Sequence, residues 1–313
     1  MNILVTGGCG FIGSNFINYI LNTDVNILNI DCLNYCANEK NVNSHSNYKF
    51  IKGNITNKDF VLHILHEYAI DAIIHFAAQS HVDNSFDNSL QYTTDNIYGT
   101  HVLLQASKEY GRIMKFLHFS TDEVYGEVDL EHPGCHEKSI LNPTNPYAAT
   151  KAAAEFLVRS YYHSFKLPVV IVRCNNVYGP NQYPEKLIPK FINLLRNGSK
   201  CTLHGDNTPT VKRAFIHVDD VTSAVMTVHE LGTPGDIYNI SSMYEFSVLD
   251  ITKMIVSAVK GPDVDYEDWV VRVIDRPFND NRYFINSDKL RSLGWKQEKD
   301  EEFLKKFISQ TTL

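Results

Sequence analysis

The sequence lacks the features that mark membrane, zinc-binding and nucleic-acid-binding proteins. No run approaches the roughly 18 consecutive apolar residues of a membrane span, and the N-terminus begins with a strand pattern rather than a signal peptide. The six cysteines include no Cys-x-x-Cys pair, so neither a zinc site nor a disulfide framework is expected. The net charge of -7 disfavours a nucleic-acid partner, because the phosphate backbone requires a basic surface. We therefore expect a cytoplasmic protein with reduced thiols and neither a membrane nor a nucleic-acid partner.

Candidate metal ligands are also too few. His63 and His66 lie three residues apart in a predicted helix, yet no neighbour completes the three or four ligands of a zinc site. The chain has 313 residues, 43% of them apolar, and it contains no repeat, low-complexity segment or flexible linker. Such a chain can bury a large core. We expect one large α/β domain, or a cofactor domain with a smaller companion, and no metal.

The N-terminal residues have the pattern of a dinucleotide-binding unit. The short β-branched run Asn2–Thr6 is followed by GGCGFIG and by a helical pattern over Ser14–Leu21. In this pattern Gly7 permits a tight turn, Gly10 lets the backbone approach a pyrophosphate, and Gly13 lets the helix pack close to the sheet. The glycine spacing is GxxGxxG rather than GxGxxG, so the evidence lies in the strand-turn-helix context.

The next strand ends in an acidic residue. Val25–Ile30 leads into Asp31, where a carboxylate can accept hydrogen bonds from the adenosine ribose hydroxyls. The same charge repels a 2′-phosphate, which favours NAD over NADP. Strand patterns over Tyr48–Lys52 and Ala72–Phe76 alternate with helical patterns, and this alternation predicts a parallel, doubly wound sheet.

Proton-handling side chains are concentrated between Phe119 and Lys151. Asp122 and Glu123 follow the buried strand Lys115–Ser120, at the edge where open α/β sheets bind ligands. Two adjacent carboxyls repel each other and can hold different protonation states, one as an acid and one as a base. Taken alone, two such carboxyls more often belong to a solvated turn.

A tyrosine and a lysine complete this group. Tyr147 and Lys151 are four residues apart in the alanine-rich segment NPYAATKAAAEF, so they lie on one helical face. A cation beside a phenol lowers its pKa, and Tyr147 is therefore predicted to act as a base near neutral pH. The YxxxK pattern alone is common by chance.

The C-terminal half supplies further candidates. Residues 175–189 (NNVYGPNQYPEKLIP) are typical of a long loop that covers a ligand, and residues 300–307 of a solvated, charged helix. Aromatic residues that continue the Tyr147 helix are expected to face a partner surface, as core or oligomer contacts rather than substrate contacts: Tyr161, Tyr162 and Phe165. Basic residues that could hold a diphosphate are Lys212, Arg213, Arg276 and Arg282, although any single Arg is as often a surface residue.

Together these residues resemble the extended short-chain dehydrogenase/reductase family, and within it the nucleotide-sugar 4,6-dehydratases. The resemblance covers nearly the whole chain, because the family's motifs occur in order: TGGCGFIG, HFAAQSHVD, STDEVYGE, YAATK, NNVYGPNQYPEKLIP and DRPFNDNRY. The combination of TDE with YxxxK is fairly specific to dehydratases. Related epimerases and decarboxylases share the glycines, Asp31, Tyr147 and Lys151 but typically lack the adjacent Asp-Glu pair.

The resemblance implies an α/β fold, a doubly wound parallel Rossmann sheet with a smaller C-terminal substrate-binding domain. The NAD-binding domain would cover residues 1–175 and about 214–240, and the nucleotide-sugar-binding domain residues 176–213 and 241–313. A homodimer is implied too, paired through the helices around Asp95 and Lys151.

The resemblance also implies a redox-neutral mechanism. Tyr147, assisted by Lys151, removes the proton of the sugar 4-hydroxyl while hydride passes to NAD, and Thr121 hydrogen-bonds the same oxygen. The resulting ketone acidifies the proton at carbon 5, so that Glu123 can remove it while Asp122 protonates the departing 6-hydroxyl. Hydride then returns to carbon 6 and gives a 4-keto-6-deoxy sugar.

The remaining assignments carried over from the family are contact residues. Those of the cofactor would be Gly7, Gly10, Phe11, Ile12, Gly13, Asp31, Asn34, Asn54, Ile55, Phe76, Ala77, Ala78, Ser80, Tyr147 and Lys151. Those of the substrate would be Ser80, Thr121, Asn176, Lys186, Leu187, Arg213 and Arg276.

Some positions depart from the bacterial dTDP-glucose pattern. Asn54 stands for the usual Asp, Gln79 for Glu and Asn84 for Arg, and the Asn common near Val248 is missing. FAAQSHVDNSF and NIYGTHVLL resemble the dehydratase portion of plant rhamnose synthases, which act on UDP-glucose. UDP-glucose is therefore the expected substrate and dTDP-glucose the alternative. The chain leaves no room for a fused epimerase/reductase, so another enzyme is expected to convert the product to a 6-deoxyhexose such as rhamnose.

Two rival functions remain open. One is another enzyme of the same scaffold, a nucleotide-sugar 4-epimerase or a UDP-glucuronate decarboxylase. The other is a cofactor-sensing module without turnover, which would not need Tyr147, Lys151, Asp122 and Glu123 together.

Overall fold

The computed structural model describes residues 1–205, 211–274 and 280–311. Within these ranges the strands are β1 (Asn2–Thr6), β2 (Asn26–Asp31), β3 (Tyr48–Lys52), β4 (Ala72–His75), β5 (Lys115–Thr121), β6 (Val169–Cys174), β7 (Asn176–Tyr178), β8 (Cys201–His204), β9 (Lys212–His217), β10 (Ile237–Ile240), β11 (Glu245–Ser247), β12 (Val270–Val273) and β13 (Arg282–Tyr283).

Helices alternate with these strands through most of the chain. They are α1 (Phe11–Ile20), α2 (Lys58–Glu67), α3 (Val82–Asp87), α4 (Ser89–Tyr92), α5 (Gly99–Tyr110), α6 (Pro146–Phe165), α7 (Leu187–Arg196), α8 (Val218–Leu231), α9 (Val248–Lys260), α10 (Asp288–Arg291) and α11 (Glu301–Thr311). A π-helical turn, Thr93–Tyr98, leads into α5, and a 3-10 turn, Asp122–Tyr125, follows β5. Every described helix is too short or too polar to cross a lipid bilayer.

Seven strands form the central sheet in the order β10-β6-β5-β4-β1-β2-β3, and every neighbouring pair is parallel. This confirms the predicted parallel, doubly wound sheet. Strands such as β6, with the sequence VVIVRC, are buried along their whole length because helices cover both faces of the sheet. The strand order reverses between β1 and β4, and at such a switch point an open α/β sheet leaves a crevice for ligands.

Helices pack on both faces of this sheet. On one face α1 and α8 bury Phe16, Ile17 and Val225 against β1 and β6. On the other face α2, α5 and α6 form a core that includes Leu103 and Val158. Since α6 is the helix that carries Tyr147 and Lys151, this packing fixes both side chains relative to the strand ends.

A separate apolar cluster lies among the smaller C-terminal elements. Strands β11, β9, β13 and β7 form a second sheet, and β8 pairs with β12. Helices α7, α9 and α11 pack on them around Phe191, Leu203 and Ile255. Leu304 and Ile308 of α11 are buried in this cluster, so the prediction of a solvated C-terminal helix is wrong: its apolar face packs against α9.

Two further expectations need correction. The run 175–189 is not all loop, because β7 lies inside it and α7 begins at Leu187. Pro189 is tolerated there, since the first turn of a helix has no intrahelical partner for its N–H groups. Tyr161 does not face a partner surface: it is buried and its hydroxyl donates to Gln105 Oε1 at 2.8 Å, whereas Phe165 remains 48% exposed.

Candidate active site

Two adjoining cavities open at the carboxyl ends of the central strands, with volumes of about 330 and 230 Å³. Every predicted cofactor contact lines the larger cavity, together with Thr121, Asp122 and Glu123. Arg213 lines the smaller one. Both cavities share the side chains of Ser80, Glu123, Asn176, Lys186 and Leu187. The fold therefore brings the predicted cofactor and substrate residues to one continuous site.

The glycine turn at the base of the larger cavity is tightly packed at Gly7 and Gly13. Gly7 has a φ of +73°, and a Cβ there would lie 2.6 Å from the backbone of Ala77. A Cβ at Gly13 would lie 2.4 Å from the Gly7 carbonyl oxygen. Both glycines are therefore required by the protein's own packing.

Gly10 is different. A Cβ there would meet only the Gly7 carbonyl oxygen, at an ordinary contact distance of 3.4 Å. Gly10 occupies the N-cap of α1, and in the described chain neither a capping side chain nor an acidic residue of the first turn engages that helix start. Its N–H groups and positive dipole end are therefore available to an anion. The residues present fit the pyrophosphate of a dinucleotide.

Asp31, at the end of β2, is buried and oriented by the backbone. One carboxylate oxygen accepts the Cys9 N–H at 3.0 Å and the other accepts the Leu33 N–H at 2.8 Å. Burial raises the pKa of Asp31, and the two N–H donors oppose that effect. Each oxygen keeps a further lone pair for a ribose hydroxyl, which is the arrangement expected of a dinucleotide site.

Lys151 is held behind Tyr147 by the end of β5. Its ammonium donates to the Phe119 carbonyl oxygen at 2.6 Å, and the side chain is buried. Burial lowers the pKa of Lys151 to about 8, while the negative charge of Glu155, one turn later in α6, opposes that shift. Part of the cationic charge is therefore engaged by the strand backbone rather than by the phenol.

The expectation that Lys151 lowers the pKa of Tyr147 is wrong for the chain by itself. Burial raises the pKa of Tyr147 well above its ordinary value, and the charges of Glu123 and Asp122 raise it further. A hydrogen bond with Thr121 lowers it. A base function for Tyr147 thus requires protonation of the neighbouring carboxyls or an additional positive charge beside the phenol.

The pKa values of Asp122 and Glu123 are both raised towards neutral pH. Burial raises the pKa of Asp122 to about 6. Burial and the adjacent Asp122 charge raise the pKa of Glu123 to about 7. The Thr121 hydroxyl donates to Asp122 Oδ1 at 3.1 Å. The pair can therefore supply one acid and one base.

The four predicted diphosphate ligands have different positions. Lys212 begins β9 and is absent from the described lining of both cavities. Arg213 lines the smaller cavity, where its described hydrogen-bond partners are the backbone carbonyls of Lys212, Asn281 and Asp280, so its charge stays available to an anion. Arg282 instead forms a buried ion pair with Glu245 at 2.6 Å, and lines neither cavity. Arg276 lies outside the described residues.

Lys186 lies at the junction of the two cavities. Its ammonium donates to the Ser80 carbonyl oxygen at 2.9 Å, and burial lowers its pKa. The nearby Glu185 accepts a hydrogen bond from the Tyr35 hydroxyl at 2.9 Å, which links the loop before α7 to the loop after β2. These contacts position Lys186 beside both Arg213 and the carboxyl pair, where a diphosphate and its sugar would meet.

Sequence reasoning missed two amides that contact the carboxyl pair. Asn145 donates to Glu123 Oε2 at 2.9 Å, and Asn175 donates to Asp122 Oδ2 at 2.7 Å. Asn145 could have been identified as a helix N-cap, because it precedes Pro146 at the start of the alanine-rich segment. No local signal points from Asn175 to Asp122, which is 53 residues away.

A known protein family matches nearly the whole chain. The family described as GDP-mannose 4,6 dehydratase matches residues 4–307. A trifunctional UDP-glucose 4,6-dehydratase/UDP-4-keto-6-deoxy-D-glucose 3,5-epimerase/UDP-4-keto-L-rhamnose-reductase of Arabidopsis thaliana is 50% identical over 99% of this chain. The chain spans 47% of the length of that plant protein.

Relatives with a different nucleotide in their names are nearly as similar. A dTDP-D-glucose 4,6-dehydratase of Homo sapiens is 47% identical over 94% of this chain and 85% of the human protein. The crystal structure of a dTDP-glucose 4,6-dehydratase from Streptomyces venezuelae, which contains bound NAD, superimposes with a TM-score of 0.92 at 35% identity, over 98% of this chain and 96% of that one. The two chains therefore have the same architecture over the superimposed residues.

Proposed function

The chain belongs to the GDP-mannose 4,6 dehydratase family, and we propose that it is an NAD-dependent nucleotide-sugar 4,6-dehydratase, a hydro-lyase. The observation that carries this proposal is the grouping of Asp122, Glu123 and Tyr147 in one cavity with Asp31 and the glycine turn. A simple dehydrogenase needs the tyrosine and the cofactor but not the carboxyl pair.

NAD would lie along the larger cavity, held by the glycine turn at its pyrophosphate and by Asp31 at its ribose. Its contribution is reversible hydride transfer, which leaves the overall reaction redox-neutral. NAD-bound structures of family members support this assignment. The other cofactor contacts proposed from the sequence line the same cavity, from Phe11 and Ile12 through Asn34, Asn54 and Ile55 to Phe76, Ala78 and Ser80.

The chain's own residues then handle the protons. Tyr147 takes the proton of the sugar 4-hydroxyl, and Thr121 hydrogen-bonds the same oxygen. Once carbon 4 is a ketone, the proton at carbon 5 is acidic, and Glu123 removes it while Asp122 protonates the leaving 6-hydroxyl. Water departs, and Glu123 returns a proton to carbon 5 as carbon 6 is reduced. The raised pKa values of both carboxyls make an acid and a base available together near neutral pH. Because the pKa of Glu123 is the higher of the two, this division of roles rests on the position of the two groups in the cavity and not on their pKa values.

The substrate contacts would converge at the junction of the cavities. Arg213 and Lys186 face the region where a diphosphate would join its sugar. We propose UDP-D-glucose as the substrate and UDP-4-keto-6-deoxy-D-glucose as the product. The plant relative and the sequence departures at Asn54, Gln79 and Asn84 support the uracil base. The human and bacterial relatives make dTDP-D-glucose the alternative.

The proposal extends to domains and partners. Residues 1–175 and about 214–240 would form the NAD-binding domain, and residues 176–213 and 241–313 the sugar-nucleotide domain.

The product would pass to an epimerase/reductase of 6-deoxyhexose (rhamnose) synthesis. All six cysteines are free thiols, which supports a reducing compartment such as the cytoplasm. Exposed Tyr98 and Phe156 support a homodimer. A monomer by sedimentation at micromolar concentration would refute the dimer.

Incubation with UDP-glucose tests the reaction class. A 4,6-dehydratase gives a 4-keto product that absorbs in alkali, an epimerase gives UDP-galactose, and a UDP-glucuronate decarboxylase gives no product. The same incubation with dTDP-glucose compares the two bases by their rates. Recovery of UDP-galactose, or of unchanged substrate with both nucleotides, would refute the proposed activity.

A further inference from the structure

Asn145 performs two functions at the start of α6. The backbone N–H of Ala148 donates to Asn145 Oδ1 at 2.8 Å, so the side chain caps the helix. Because an N–H can only donate, the atom that faces it must be the amide oxygen. The amide NH₂ is therefore directed the other way, and it donates to Glu123 Oε2 at 2.9 Å. The cap fixes which end of the amide Glu123 meets.

Asn175 repeats this arrangement on the other carboxyl. Its Oδ1 accepts the backbone N–H of Ser242 at 3.2 Å, and its Nδ2 donates to Asp122 Oδ2 at 2.7 Å. Both asparagines are buried, with 6% and 4% of their surface exposed. Each carboxyl of the pair thus receives one amide donor whose orientation is fixed by a backbone N–H.

Donation to a carboxylate stabilises its ionised form. Asp122 and Glu123 repel each other when both are charged, so near neutral pH the pair favours a state with one shared proton. Elimination needs that proton on Asp122 and the negative charge on Glu123. The amide beside Glu123 favours this distribution, whereas the amide beside Asp122 opposes it.

Other titratable or charged groups also face the pair. Arg213, Lys186, Tyr147 and Tyr283 face Glu123. Arg213, Tyr147, Cys135 and Cys174 face Asp122. Arg213 and Tyr147 act on both carboxyls, so they do not by themselves select one. Lys186 faces Glu123 alone, and its positive charge favours the ionised form of Glu123, as the Asn145 amide does. The Thr121 hydroxyl donates to Asp122 alone, as the Asn175 amide does. Each amide is likewise bonded to a single carboxyl.

We propose that Asn145 and Asn175 determine which of the two carboxyls holds the shared proton, with Asn145 keeping Glu123 available as the base. Both asparagines are positioning residues, since they act through the carboxyls rather than on the sugar. The inference rests on the proposed dehydratase function.

Asn145→Ser is the decisive variant. Serine is an effective N-cap, so α6 keeps its start, but its side chain is one bond shorter and no longer brings a donor within hydrogen-bonding distance of Glu123. The infrared bands of the protonated carboxyls, assigned by comparison with Asp122→Asn and Glu123→Gln, report where the proton lies without any turnover. Asn145→Ser should move the proton to Glu123, and Asn175→Ser should move it to Asp122. Unchanged bands, or movement in the same direction in both variants, would overturn the proposal.

Kinetics give a second readout. The single-turnover rate of water loss at neutral pH should fall about ten- to a hundredfold in Asn145→Ser, the factor that one hydrogen bond to a charged group carries. Asn175→Ser should lose water at least about tenfold faster than Asn145→Ser, because its effect on the proton has the opposite sign. Equal rates in the two variants would contradict the proposal.

Asn57→Ser is the matched control. Asn57 caps α2 through the Phe60 N–H at 3.1 Å, and it lines neither cavity among their described lining residues. The Asn57→Ser variant should therefore change neither the infrared bands of the carboxyls nor the rate of water loss. The two hypotheses fail separately: a wild-type protein inactive on both nucleotide sugars refutes the dehydratase proposal, while the infrared bands still decide where the amides place the proton.

Discussion

Arg173 and Glu155 form an ion pair of 2.6 Å in which both side chains are buried. Arg173 lies in β6 and Glu155 in α6, one turn after Lys151, so the pair ties the catalytic helix to the sheet. Arg173 also donates to the hydroxyl of Tyr125 at 2.7 Å. Tyr125 lies two residues after Glu123, in the same 3-10 turn as the carboxyl pair. One buried guanidinium thus holds together the two segments that carry the proposed acid, base and tyrosine.

Removing Glu155 should strongly destabilise the protein. Glu155→Ala leaves the Arg173 charge buried without its partner, and the free energy of unfolding should fall by about 3–5 kcal/mol. Urea unfolding measures the change. The exposed pair Lys58–Glu109 has a similar length of 2.8 Å and provides the control. Glu109→Ala should leave the unfolding midpoint close to wild type, because solvent screens exposed pairs. Similar losses in both variants would contradict this account of α6.

Gly10 and Gly13 should respond differently to alanine. Gly13→Ala places a Cβ 2.4 Å from a carbonyl oxygen, so it should lower the melting temperature of the protein without added NAD. Gly10→Ala meets only an ordinary contact, so it should leave that melting temperature nearly unchanged while weakening NAD binding. Thermal unfolding and calorimetric titration with NAD separate the two effects. If Gly10→Ala binds NAD with unaltered affinity, the pyrophosphate does not bind at this turn.

The pH dependence of stability should reveal the raised pKa of Glu123. Because burial and Asp122 raise that pKa from 4.5 to about 7, the folded protein keeps a proton that the unfolded chain releases. This stabilisation is fully present below about pH 4.5 and is lost as pH rises through 7. Wild type should therefore lose up to about 3 kcal/mol relative to Glu123→Gln between these pH values.

Urea unfolding of both proteins at the two ends of this pH range measures the difference. The exposed Glu131 supplies the control, because Glu131→Gln makes the same chemical change on the surface. A constant difference between wild type and Glu123→Gln at all pH values would show that Glu123 titrates normally in the folded protein.

Tyr147→Phe should abolish turnover while NAD remains bound. The change removes only the hydroxyl, and the ring keeps its edge-on packing against Tyr92, with centroids 6.5 Å apart. Tyr19→Phe, on an exposed residue of α1, serves as the control. Steady-state rates and retention of NAD on gel filtration report the two properties. A fully active Tyr147→Phe protein would show that the Tyr147 hydroxyl is not the base in the reaction.

Much of the fold was predictable because its signals are local. The strand Asn2–Thr6 has the predicted bounds, since a short apolar, β-branched run followed by turn residues specifies a buried parallel strand. The edge strand Tyr48–Lys52 also has the predicted bounds, although none of its residues is fully buried. The helix that carries Tyr147 and Lys151 was equally clear from its alanine-rich segment. The residues of one crevice could be grouped because parallel strands end at one edge.

What depends on distant contacts was not predictable. The pKa of Tyr147 is raised by burial and by Glu123, which lies in the turn after β5 rather than in the helix of Tyr147. Arg282 was an equal candidate to Arg213 until the fold placed Glu245 beside it. Asn175 acquires its contact with Asp122 only when β6 is placed beside β5 in the sheet. Such effects belong to tertiary packing and leave no periodic signal.

The central claim is that the sugar is oxidised before water leaves, and Glu123→Gln tests it most directly. Without the base at carbon 5, oxidation at carbon 4 can proceed but elimination cannot. Mixing the NAD-loaded variant with UDP-glucose or dTDP-glucose should give the absorbance of reduced nicotinamide, with no loss of water in the mass of the recovered nucleotide sugar. If no reduced nicotinamide forms, or if water is lost at the wild-type rate, the assignment of Glu123 and the proposed order of steps are contradicted.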